Sequence, residues 1–175
     1  FIEVLPPGAR VAVSDVDGTL TESEAAIAGD VIKGEESEAH PGAADAMKAL
    51  ASRGYHLFYL TARPDWLVPT TRAWLSNKGF PPGILHTTTT ATGVGGDAAA
   101  AFKSAELAAL KAELGIVPEY AFGNMPSDVT TYGNAGLKAA SCYYYKLDGD
   151  LRGGVRHDDY RTLVPAFSAL PPICP

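Results

Sequence analysis

Short apolar runs alternate along the chain with longer stretches whose apolar residues recur at helical spacing, and this alternation sets out strands and helices in turn. Arg10 to Asp15 has the small and apolar residues of a buried strand. A polar, Gly-containing stretch from Glu22 to His40 follows; it is too short to fold alone and is expected to form a flap (22–40) whose acidic run GEESE is a solvated loop. From Pro41 a helix is signalled by Ala43, Met47, Leu50 and Ala51 and stopped by Gly54. Tyr55 to Leu60 predicts a second strand. The next helix carries Trp66, Leu67, Trp74 and Leu75 and ends at Lys78-Gly79. Indole rings are costly to leave in water, so most of that face is expected in the core.

Gly83 to His86 predicts a third strand, and TTTTATGVGGD, from Thr87 to Asp97, a flexible loop. Ala98 to Leu114 predicts a helix with Leu107, Leu110 and Leu114 at core spacing. Tyr120 to Phe122 and Leu137 to Tyr145 supply the fourth and fifth strands. The tail from Lys146 to Pro175 places Tyr160, Leu163, Val164 and Phe167 at helical spacing, which predicts a helix packed back on the sheet. Strands alternating with helices argue for an α/β fold with a parallel sheet. A length of 175 residues fits one domain, 1–175.

Composition narrows the classes of function. Hydrophobic residues make up 46% and charged residues 19%, as in a globular chain. A net charge of −6, with no run of Lys and Arg, argues against nucleic acid as a partner. No apolar run approaches the ~20 residues that span a bilayer. Residue 1 is Phe, which reads as a processed or excised piece, with a removed signal peptide or a preceding domain left open. Cys142 and Cys174 are the only thiols. They are either one core cysteine and one loose terminal one, or a disulfide that pins the tail. The disulfide is slightly favoured and implies an oxidising, secreted or cell-envelope setting.

The chemistry concentrates at the strand ends. Asp15 and Asp17 are an i, i+2 pair where the first strand leaves the sheet, so both carboxylates face one small volume and repel unless a cation lies between them. Mg²⁺ suits such hard oxygen ligands. The second strand runs into Thr61, Ala62, Arg63 and Pro64, a hydroxyl and backbone N–H groups placed for an anion. Lys103 lies on an Ala-rich helix, where on its own it reads as a solvated residue. Asn124 and Asp128 follow the fourth strand, four apart.

SDVDGTLT resembles the first motif of the haloacid dehalogenase superfamily, whose members are mostly Mg²⁺-dependent phosphatases with an aspartate nucleophile. YLTARP is similar to the second motif, Lys103 stands where the third has its lysine, and Asn124 with Asp128 has the spacing of the fourth. The resemblance implies a three-layer Rossmann-like fold around a central five-stranded parallel sheet. With no cap domain inserted after the first or third strand, the site is expected to be open to a large or membrane-borne phosphate ester. It also implies that Asp15 is the nucleophile and Asp17 the general acid and base, neutral on arrival because a carboxylate is adjacent. Thr61 and the N–H of Ala62 hold the phosphate, Lys103 offsets its charge, and Arg63 faces the substrate or pairs with an acidic neighbour. The Mg²⁺ shell comprises the Asp15 carboxylate, the Asp17 carbonyl, Asn124 or Asp128, and waters.

Four longer stretches, DVDGTLT, HPGAADAMKALASRGYHLFYLTARPDW, RAWLSNKGFPPG and FGNMPSDVTTYGNAGL, resemble the lipin-type catalytic domain. They look especially like its relative at the C-terminus of the membrane-associated phosphatidylinositol transfer proteins. Lipin-type members are phosphatidate phosphatases; the transfer-protein relatives bind phosphatidate and have lost the nucleophilic Asp, which this chain keeps as Asp15. The resemblance therefore implies hydrolysis of phosphatidate to diacylglycerol, with peripheral membrane contact. The alternatives are a phosphatidate-binding module without turnover, or an open-site phosphatase for protein or nucleotide phosphoesters.

Overall fold

The computed structural model describes residues 4–6, 8–22 and 37–173. Six parallel strands run β1 (Val11–Ser14), β2 (His56–Pro64), β3 (Gly83–Thr88), β4 (Tyr120–Gly123), β5 (Cys142–Tyr145) and β6 (Val155–His157). Their spatial order is β3-β2-β1-β4-β5-β6. The helices are α1 (Ala43–Ser52), α2 (Val68–Asn77), α3 (Gly96–Leu114), α4 (Pro126–Asn134) and α5 (Val164–Ser168), with a 3₁₀ turn at Asp65–Leu67 before α2 and another at Tyr160–Thr162 before α5.

Period-two alternation makes the layers. Ala12, Leu57, Tyr59 and Phe122 face one core, shared with Met47 and Leu50 of α1, Trp74 of α2 and Phe167 of α5. Val13, Phe58, Leu60 and Ala121 face the other, shared with Leu107 of α3 and with Val129 and Tyr132 of α4. A sheet buried on both faces reads as near-continuous apolar runs, as β1 and β2 do. The result is the expected three-layer α/β fold, with one strand more than expected. Val155–His157 pairs with Tyr143–Tyr145 in what reads as tail; at three residues, with Arg156 in the middle and Val155 exposed, it carries no apolar signal.

In the described part of the tail, Tyr160, Leu163 and Phe167 are buried in the core on that face of the sheet. The α3 face differs. Leu107 is buried, but Leu110 is only partly so and Leu114 is exposed, and it is Lys103 that turns inward. Trp66 also departs from expectation. Leu67 is buried and Trp66 is turned outward, because the 3₁₀ turn rotates the chain before α2 begins. Trp74 takes the core position. At the flap, Thr21 bridges Ala39 in antiparallel fashion, but residues 23–36 lie outside the described ones. So does Cys174, and with it the disulfide; Cys142 is buried, with its Sγ 3.5 Å from the Lys138 carbonyl it donates to.

Order reverses between β1 and β4, since β2 and β3 lie to one side of β1, and β4 to β6 to the other. Open parallel sheets place their ligand sites beyond the carboxyl ends of the strands at such a point. Asp15, the residues after Leu60 and the residues after Phe122 all emerge there.

Candidate active site

Asp15 continues the β1–β4 ladder by one residue, its N–H donating to the Phe122 carbonyl at 3.0 Å. The chain then turns over Val16 and Leu20, both fully buried, so the loop carrying the second aspartate is anchored in the core. Asp15 is itself buried, with Lys103 Nζ donating to its Oδ1 at 2.7 Å and Thr19 Oγ1 to its Oδ2 at 2.9 Å. Tyr160 reaches back from the tail to donate to the Thr19 carbonyl at 2.8 Å, which fixes the loop from behind.

Lys103 also donates to Asp128 Oδ1, at 2.8 Å. The other oxygen of Asp128 accepts the N–H groups of Asn124 (3.0 Å) and Met125 (3.1 Å), so this carboxylate caps the start of α4. Gly123 makes the approach possible: a Cβ there would lie 2.5 Å from the Asp128 Cβ. The Asn124 Oδ1 lies 2.8 Å from Thr19 Oγ1, beside Asp15.

Burial pushes the Asp15 carboxyl up, to about 7; Asp128 and Asp17 add to the rise and Lys103 opposes it. Burial also works to lower Lys103, but Asp15 and Asp128 outweigh it and hold the ammonium above its usual value. The two shifts differ in sense for one ion pair. The geometry supports a charged lysine bridging two carboxylates, with the rise at Asp15 reflecting a surplus of negative charge away from water.

Asp17 has different company. Arg63 Nε lies 2.9 and 3.1 Å from its two oxygens, Nη2 donates to Oδ1 at 2.7 Å, and Thr61 Oγ1 donates to Oδ2 at 3.1 Å. Arg63 is buried and is braced from behind, donating through Nη1 to Thr71 Oγ1 at 3.0 Å. Arg63 therefore pairs with an acidic neighbour. The hydrogen bonds that Asp17 accepts come from a guanidinium and a hydroxyl, while its charge adds to the rise of the Asp15 carboxyl.

Asp15, Asp17, Ala62, Arg63 and Lys103 line one cavity of about 520 Å³. Thr61, Asn124 and Asp128 stand behind that surface, and the loop of Gly93 to Gly96 forms another wall. Sequence reasoning missed Thr19, Thr71, Trp66 and Met125 as parts of the site. Thr19 lies inside the D-x-D-G-T stretch and was findable; Thr71 and Met125 carry no local signal.

Residues 12–146 match the family described as PITM 1-3, LNS2 domain. The chain belongs to the LNS2 domain family. Among relatives of this LNS2 domain, Protein retinal degeneration B of Drosophila melanogaster is 30% identical over 138 residues, 79% of this chain and 10% of that protein. Membrane-associated phosphatidylinositol transfer protein 3 of Mus musculus is 32% identical over 85 residues, 49% of this chain and 8% of that protein. The LNS2 domain thus spans about a tenth of the length of these relatives or less. Solved structures share its fold, among them the following two. A class C acid phosphatase from Bacillus anthracis with tungstate bound aligns at TM-score 0.50 and 20% identity, over 73% of this chain and 60% of that one. A hypothetical protein from Xanthomonas campestris aligns at TM-score 0.54 and 17% identity, over 91% and 83%.

The donor set can be tested against a metal ion. Among the described residues, no three His, Cys, Asp or Glu side chains gather as a metal cluster. A cation here would rest on one or two carboxylates, an amide oxygen and waters, which is the way Mg²⁺ is ordinarily held. The charges also fit: among the described residues, the ion pairs of Asp15, Asp17 and Asp128 are with Lys103 and Arg63, three carboxylates to two cations.

Proposed function

We propose that this LNS2 domain hydrolyses a phosphomonoester of the phosphatidate class through an aspartyl-phosphate on Asp15, with Mg²⁺ as cofactor. The observation that carries the reading is the Asp15 carboxylate, held by Lys103 and Thr19 at the carboxyl end of β1 and lining a cavity with Arg63. Mg²⁺, held by the Asp15 carboxylate, the Asp17 carbonyl and the Asn124 amide oxygen, would offset charge on the phosphoryl oxygens. Asn124 Oδ1 lies beside Thr19 and Asp15, whereas Asp128 accepts from Lys103 and from the backbone N–H groups that start α4, so Asn124 is the residue we assign to direct contact.

Asp15 attacks phosphorus, forming the bond to its carboxylate oxygen as the bond to the leaving alkoxide breaks. Lys103 stabilises the charge gathered around Asp15. An incoming phosphate competes with Asp17 for the Arg63 guanidinium, for which Arg has a bidentate preference. Asp17, released, gives a proton to the alkoxide and then takes one from the water that cleaves the acyl phosphate. Thr61 and the Ala62 N–H sit at the end of β2 to steady the phosphoryl oxygens. The substrate class is drawn from the resemblance to lipin-type phosphatidate phosphatases, supported by the relatives named as membrane-associated phosphatidylinositol transfer proteins.

A second reading, a phosphatidate-recognition module without turnover, is favoured by the engagement of Asp17 with Arg63 and Thr61. Phosphate release from phosphatidate in mixed detergent micelles, with Mg²⁺ or with EDTA, separates the two. Release that requires the cation and is lost in Asp15→Asn supports hydrolysis, whereas saturable binding without release supports recognition alone.

A further inference from the structure

Among the described residues, two of the large apolar side chains left in water stand on the wall of the Asp15 cavity: Trp66, 57% exposed, and Met125, 42% exposed. Trp66 is not loose. Its Nε1–H donates to the Ala91 carbonyl at 2.8 Å. The loop that supplies Ala91 is fastened in turn to the end of β2, where Val94 N–H donates to the Ala62 carbonyl at 3.1 Å. Gly93 allows that approach, since a Cβ there would lie 2.8 Å from the same oxygen. An indole whose one polar group is satisfied and whose ring is left to solvent is an apolar surface held in place.

The cavity therefore has two chemically distinct ends. Asp15, Arg63 and Lys103, all buried, supply charge at the floor; Trp66 and Met125, both exposed, supply apolar surface at the rim. Its volume of about 520 Å³ falls in the usual ligand-pocket range and exceeds what a phosphoryl group fills. We infer, resting on the reading above, that Trp66 and Met125 form a subsite for the apolar arm of the ester whose phosphate lies at Asp15. The occupant is a single substrate molecule and not a bilayer surface. Trp66 and Met125 line the same cavity as Arg63 and Lys103, so one apolar arm would continue directly from a phosphate held there.

The probe is the phosphonate analogue of dihexanoyl phosphatidate, in which a methylene replaces the scissile oxygen. It is titrated in Mg²⁺ below its micelle concentration, beside inorganic phosphate. Trp66→Ala is expected to shrink the preference for the analogue over phosphate about tenfold, the order of effect of uncovering one aromatic contact. Trp66→Phe, apolar but unable to donate to Ala91, is expected to keep that preference within about twofold of the original. An unchanged preference in Trp66→Ala overturns the subsite. So does an equal loss of both ligands, or a Trp66→Phe variant as weak as Trp66→Ala, because either assigns the effect to the loop. Binding to phosphatidate vesicles without binding of the monomeric analogue overturns it in favour of membrane contact. A full analogue preference without phosphate release from phosphatidate sinks the hydrolase reading and leaves the subsite standing.

Discussion

Asp15 and Asp17 are two positions apart in the chain, yet they live in different surroundings. Asp15 is sealed behind the strand ends with Lys103 and Thr19, and its carboxyl is pushed up to about 7 by burial. Asp17 sits nearer the solvent, its side chain 22% exposed, in a fork of Arg63 hydrogen bonds. Environments that differ this much are how one site assigns two carboxyl groups to two tasks. On the reading proposed above, the buried group is the nucleophile and the outer one handles the proton, with Arg63 drawn away by the incoming phosphate.

The largest effect expected is on turnover in Asp15→Asn. Losing the attacking oxygen should lower kcat by at least about a thousandfold, with the far-ultraviolet circular dichroism unchanged. Retained Mg²⁺-dependent hydrolysis would place the attack elsewhere. Asp17→Asn removes proton transfer while keeping an acceptor for Arg63. It should cost roughly 10²- to 10⁴-fold in kcat, and less for an ester with an acidic leaving group such as p-nitrophenol. An equal loss on both esters would mean that Asp17 positions rather than transfers.

Lys103→Met breaks the bridge and leaves Asp15 and Asp128 facing each other in the interior. Stripping one partner from a buried ionic cluster costs about 3–5 kcal/mol, to be read from urea unfolding. A change within about 1 kcal/mol of wild type would mean the lysine is not the bridge.

A smaller effect links pH to the cation. Because the fold raises the Asp15 carboxyl to about 7 from an ordinary value near 4, the folded state holds the proton more tightly than the unfolded chain does. Stability in EDTA should therefore fall as pH rises from about 4 to about 7. Mg²⁺, which favours the carboxylate, should raise the melting temperature more at pH 8 than at pH 5. An equal shift at both pH values would separate the cation from Asp15. The smallest effect expected is in Arg63→Lys, which keeps the charge but loses the fork that spans Asp17 and Thr71. A rise in KM of about tenfold with a smaller change in kcat is expected, and an unchanged KM would remove Arg63 from substrate binding.

Five of the six strands, and the place where their ends meet, were legible because buried parallel strands write themselves as apolar runs. Val155–His157 was not, since an exposed three-residue edge with a central arginine needs no such run. Trp66 was misread for a related reason: residue type says an indole prefers cover, but the Ala91 carbonyl satisfies its one polar atom and the 3₁₀ turn buries Leu67 in its place. Lys103 could be placed only by the order of the motifs, because an Ala-rich helix gives no sign of which face turns to the sheet. The pairing of Arg63 with Asp17 joins residues 46 apart in the chain, which no local pattern records.

The most direct test is to trap the covalent state on Asp15. Protein mixed with phosphatidate and Mg²⁺, quenched during turnover and reduced with borohydride, should yield a peptide in which Asp15 has become homoserine, and no such product in EDTA. Phosphate release with Asp15 unmodified would contradict the assignment of the nucleophile.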